Sequence, residues 1–165
     1  MYENILEGQY LIKLLSAAVN NVPVKMPEDD MDWENLYKLA SFHNVANTAY
    51  YSLLRFPNPA VIPKDIWSRF SSDAKKYSAL EALQHFEVRQ ILLRFERNQI
   101  FCVPLSGYIM KALYPRPDMR YVASLDLLIR KDDKDAIHAV MTSLGYSQIR
   151  VTETTTSYFK APNMT

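Results

Sequence analysis

Residues 101–130 read FCVPLSGYIMKALYPRPDMRYVASLDLLIR, and this stretch decides the fold. Ile100–Leu105 is a short apolar run that predicts a strand, and Ser106-Gly107 is a turn. Tyr108–Tyr114 is helix-like, Pro115 and Pro117 punctuate a loop, and Ser124–Ile129 predicts a second strand carrying Asp126. The layout sets one carboxylate beside a helix N-terminus, where a metal-bound phosphate could sit. A two-metal phosphoryl-transfer site needs two carboxylates two residues apart on a strand, so that both side chains share a face. Here Ser124 holds the first of those positions.

Outward from this stretch, the N-terminal half is helical in pattern. Ile5, Leu6, Leu11, Ile12, Leu15 and Val19 predict a helix over 3–20 with one buried stripe, ended by Pro23 and Pro27. Asp32 is placed to cap a second helix, His43-Asn44 marks a break, and Ala46–Phe56 continue as a third. From Pro63 to Asn98 the apolar residues keep a helical period with no Gly or Pro between, which predicts one long helix. Beyond the quoted stretch, Asp132–Leu144 reads as a helix capped by Gly145. Tyr146–Val151 and Thr155–Lys160 read as strands paired across a turn near Glu153-Thr154.

The 165 residues are 48% hydrophobic and 22% charged, enough to bury a core. A formal charge of +1 supplies no global field for nucleic acid or an anionic membrane. No run of about 18 uncharged apolar residues occurs, so a cytoplasmic location is expected. Cys102 is the single cysteine, which rules out an internal disulfide and a cysteine zinc site. His43, His85 and His138 repeat no zinc spacing, and the run Lys131–Asp135 reads as a solvated helix start. Only three glycines occur, so each is expected to answer a geometric demand; Gly107 would let backbone N–H groups approach a ligand.

Pro104-Leu105-Ser106-Gly107, Leu113-Tyr114-Pro115, Arg120, Leu125–Ile129 and Leu144-Gly145-Tyr146 together resemble the bacterial uncharacterised nucleotidyltransferase family of the polymerase-β-like superfamily. The run Leu39–Val45 resembles that family's helical N-terminal region. The resemblance implies an α+β chain: a helical region over 1–98, then a mixed sheet with flanking helices over 99–165. It implies a glycine turn for the triphosphate and carboxylates holding Mg²⁺. An acceptor hydroxyl would attack the α-phosphorus, with nucleoside monophosphate transferred and pyrophosphate released.

Carried onto this sequence, Asp126 is the metal ligand and, with Ser124, the catalytic pair; Ser106, Gly107 and Arg120 hold the NTP. Lys111 and Arg116 are weaker phosphate contacts, and a pairing of Arg120 with Asp118 is the bland alternative. The chain departs from the family pattern in three ways. Ser106 stands where the family usually has Lys, Ser124 replaces the first acid, and the third acid is expected on a strand near where the sequence ends. Glu153, the single acid after Asp135, falls in a turn. The chain is therefore expected to be either the front part of a longer protein or a degenerate copy with impaired transfer. The alternative from another class is a non-catalytic module whose helix 63–98 forms a protein-partner surface.

Overall fold

Ile5–Val19 forms the first helix, α1, in the computed structural model, which describes residues 5–27 and 30–161. Its buried face is Tyr10, Leu11, Leu14, Ala17 and Ala18. The expected stripe is therefore rotated: Leu6, Ile12 and Val19 are exposed. Two alanines and Tyr10, whose hydroxyl donates to the Lys25 carbonyl at 2.8 Å, occupy the inner side instead. Small residues let the neighbouring helix approach closely beside Leu11 and Leu14, while Leu6, Ile12 and Val19 remain outside.

Asp32 caps the second helix, α2 (Trp33–Phe42), by accepting the Asn35 amide at 2.9 Å. The helix ends where Asn44 adopts φ 55°, a left-handed conformation that asparagine tolerates. The third helix, α3 (Ala46–Leu53), stops earlier than Phe56, because the residue before Pro57 is pushed away from helical geometry. It is buried nearly all round, including Asn47, Thr48 and Ser52. Each of these three polar side chains donates to a backbone carbonyl, Ser52 to Leu14 at 2.6 Å. The long helix α4 (Lys64–Arg97) is continuous as expected.

Contacts group the chain into two units that interleave in sequence. The first joins the residues up to Leu83 with Gly107–Ser124; the second joins Gln84–Ser106 with the residues from Leu125 on. In the first unit Ile66 and Phe70 of α4 pack with Leu14, Leu36, Ala49, Leu53 and Phe56. Edge-to-face pairs Tyr10–Trp33, Trp33–Phe56 and Tyr37–Phe70 give this core its aromatic fill.

In the second unit β1 (Cys102–Pro104) pairs antiparallel with β2 (Leu127–Ile129), matching Cys102 with Ile129 and Val103 with Leu128. Ile91 and Phe95 of α4 pack with Ile137, Val140 and Met141 of α6 (Lys134–Ser143), and Cys102, Leu127 and Ile129 lie against that cluster. Gly145 at φ 83° ends α6 as a left-handed cap, as expected. The next strands, β3 (Ser147–Val151) and β4 (Thr156–Phe159), pair antiparallel across the Glu153-Thr154 turn. Among the described residues the strands thus make two separate antiparallel pairs. Where the resemblance implied one mixed sheet, the α+β arrangement is present without a parallel ladder. No helix is long and apolar enough to cross a membrane among the described residues.

Two local readings need correction. The strand predicted over 124–129 begins at Leu127; Ser124 and Leu125 precede it, and Asp126 joins through one bond, the Leu105 amide donating to its carbonyl at 2.8 Å. The stretch 108–114 is a single α-turn, α5 (Ser106–Ile109), followed by a 3₁₀ turn over Met110–Leu113.

Phe70 is wholly buried at the centre of the first core. Phe70→Ala is expected to destabilise the protein by roughly 3–5 kcal/mol, measured as the change in unfolding free energy by urea titration.

Candidate functional site

Gly107–Ser124 leaves α5 and returns to the helices of the first unit. Its central feature is the 3₁₀ turn Pro117–Met119, closed by the Met119 amide on the Arg116 carbonyl at 3.1 Å and the Arg120 amide on the Pro117 carbonyl at 3.3 Å. Proline at the first position of the turn presets its φ. Asp118 in this turn is 6% exposed. Its carboxylate accepts from the Tyr51 hydroxyl and from Arg116 Nε at 3.3 Å, and the Arg116 guanidinium lies 4.4 Å from the Tyr51 ring centre. The Asp118 and Met119 carbonyls accept from Asn47 Nδ2 and Thr48 Oγ1. Asp118 therefore pairs with Arg116, not with Arg120.

Arg120 turns the other way. Its Nε donates to the Gly107 carbonyl at 3.3 Å and its Nη1 reaches the Tyr114 hydroxyl at 3.5 Å. Lys111, by contrast, is buried and faces Glu81 at 3.7 Å. Burial lowers its pKa, partly opposed by the Glu81 charge. That engagement makes Lys111 a packing cation, whereas Arg116 pairs with Asp118 through Nε and keeps a half-exposed side chain.

Gly107 answers no steric demand of its own. Gly145 is the one glycine with positive φ among the described residues. A Cβ on Gly107 would meet Val122 Cγ1 at 3.5 Å and the Ser124 carbonyl at 3.9 Å, which are ordinary contacts. Ser124 is exposed.

In the second unit Ser106 opens α5, and Asp126 is exposed immediately before β2. Leu128, two residues on, is 57% exposed, while Leu127 and Ile129 pack inward, so alternation puts Asp126 on the outward side. Among the described residues no group of three or more His, Cys, Asp or Glu is placed to hold a metal ion. One carboxylate with a hydroxyl two residues before it is a poor fit to a two-metal centre, because the neutral oxygen supplies no charge to hold Mg²⁺. Glu153 lies exposed in the β3–β4 turn, and His138 Nδ1 lies 3.3 Å from the Tyr158 hydroxyl.

Asn47, Thr48 and Tyr51 carried a signal that the sequence reading passed over. Two adjacent polar residues interrupt an apolar helix, and such groups are buried only when they have partners.

Helices followed by a strand, a glycine turn and a second strand preceded by Asp126 place the protein in the α+β class. Residues 29–164 match the family described as "Uncharacterised nucleotidyltransferase", part of the polymerase-β-like superfamily, and the chain belongs to that family. No curated protein and no solved structure matches it.

Burial first, then the hydrogen bond to Asp118, pushes the Tyr51 hydroxyl up to about 12. Burial likewise pushes Tyr10 and Tyr146 up to about 12. A folded pKa above the unfolded value of about 10 favours the neutral form in the fold. Stability from these groups is complete below that unfolded value and is lost as pH climbs through the folded one. A spectrophotometric titration of tyrosinate is expected to show a late-ionising fraction that Tyr51→Phe reduces, and a stability plateau that falls only at strongly alkaline pH.

Proposed function

We propose that this chain binds a nucleoside triphosphate at the Ser106-Gly107 turn and Arg120, and that the lineage's transfer of nucleoside monophosphate to an acceptor is impaired by Ser124. The observation that carries the reading is the Arg120 guanidinium seated on the Gly107 carbonyl. In the second unit the Leu105 amide holds the Asp126 carbonyl, and in the first Arg120 holds the Gly107 carbonyl. Arg120 has more N–H donors than these contacts use, so it retains donors for a phosphate oxygen. Asp126 keeps the ligand position of the family pattern, and Ser124 removes the charge that a resident second carboxylate would add. The donor set therefore supports binding better than turnover.

Titration of the full chain with ATP, GTP, CTP and UTP, with and without MgCl₂, tests this. At least one NTP is expected to bind, with Arg120→Ala weakening it, and Ser124→Asp is expected to enlarge the gain from MgCl₂ relative to the parent. Absence of binding or thermal stabilisation by any of the four would sink the reading. That result would favour a protein-interaction role for α4, which exposes Leu80, Leu83 and Phe86.

A further inference from the structure

Arg120 reaches Gly107 from a turn that the N-terminal helices hold. Asn47 is 1% exposed, and its Nδ2 donates to the carbonyl of Asp118 while Thr48 Oγ1 donates to Met119 at 3.0 Å. Tyr51 and Arg116 fill both carboxylate oxygens of Asp118. Four donors thus converge on two consecutive residues, and the next residue is Arg120. In a trans peptide the carbonyl and the following N–H point in opposite directions. A guanidinium fixed on the Gly107 carbonyl therefore also fixes the direction of the Tyr108 amide within the glycine turn.

We infer that Asn47, with Tyr51, is a positioning residue of the nucleotide site: it sets Asp118, Asp118 sets Arg120, and Arg120 orients the Gly107–Tyr108 peptide. The helical region is then part of the site's framework and not an appended module. The inference rests on the nucleotide reading of Arg120 for its functional half. Its mechanical half, that loosening Asn47 loosens the glycine turn through Arg120, stands on the contacts in the first unit.

The two halves are tested together on the full chain. NTP affinity is measured for Asn47→Ala, Arg120→Ala and the double variant, and amide hydrogen exchange is followed over 107–114 and over α1. Each single variant is expected to weaken binding about tenfold, the scale of one charge-assisted hydrogen bond, and the double variant no more than Arg120→Ala alone. Leu53→Ala, a core change in the same helix, should lower the melting temperature yet leave affinity unchanged well below melting. If Asn47→Ala fails to fold, Tyr51→Phe removes a single hydroxyl from the same network and takes its place. Additive losses, or unaltered affinity in Asn47→Ala, would overturn the inference. If the parent binds no NTP, the nucleotide reading and the functional half fall. Exchange then decides the mechanical half: equal acceleration over 107–114 in Asn47→Ala and Arg120→Ala, with α1 unchanged, supports it, and unchanged protection there refutes it.

Discussion

A carboxylate that is 6% exposed has to be paired, and the pairing of Asp118 organises the first unit. Tyr51 comes from α3 and Arg116 from the same loop, so the counter-charge is local and the helices add a hydroxyl donor where the excursion 107–124 returns to them. Leaving Asp118 buried without these donors would cost on the order of several kcal/mol. Arg120 leaves the turn two residues after that docked acid.

Local structure was largely legible in the sequence, and the reason is that it is decided by short-range chemistry. Asp32 as cap, Asn44 as break, the uninterrupted period to Asn98, and Gly145 as a left-handed cap each depend on a few neighbouring residues. What was not legible is long-range. Nothing in the pattern of 107–124 says that Pro117–Met119 will be gripped by residues about seventy positions earlier, because hydrogen bonds to backbone carbonyls leave no periodic trace. The rotation of the α1 stripe has the same origin: Ala17 and Ala18 join Leu11 and Leu14 on the buried face because neighbouring helices, not local hydropathy, decide which side is covered. The sequence offered Gly107, Arg120 and Asp126 as a candidate site through a resemblance to a motif. The partners that fix Arg120 were not legible.

The strand boundary at Leu127 bears on chemistry as well as on description. Inside a ladder, both neighbours of a residue are bonded and its side-chain direction is rigid. Asp126 has one ladder bond and Ser124 precedes the strand, so the position where the family sets a paired acid belongs to less constrained backbone. Two carboxylates there would repel each other in the absence of a cation, at a place where the backbone resists that repulsion weakly. With Ser124 the repulsion is gone. The same replacement that takes a charge away from this position also takes away that repulsion.

That exchange is possible because the ties that hold this region do not use the side chains at 124 and 126. Asp126 joins β1 through its main-chain carbonyl, Gly107 meets Arg120 through its carbonyl, and Asp118 docks the loop through a side chain outside the motif. None of these ties involves the Asp126 carboxylate or the Ser124 hydroxyl. The architecture therefore does not rest on the side chains at 124 and 126, and a fold of this lineage is in itself no measure of activity. Arg120 differs, since its guanidinium holds the turn and the proposed phosphate contact would draw on the same group. Under that reading a change at Arg120 reaches the framework and the binding together.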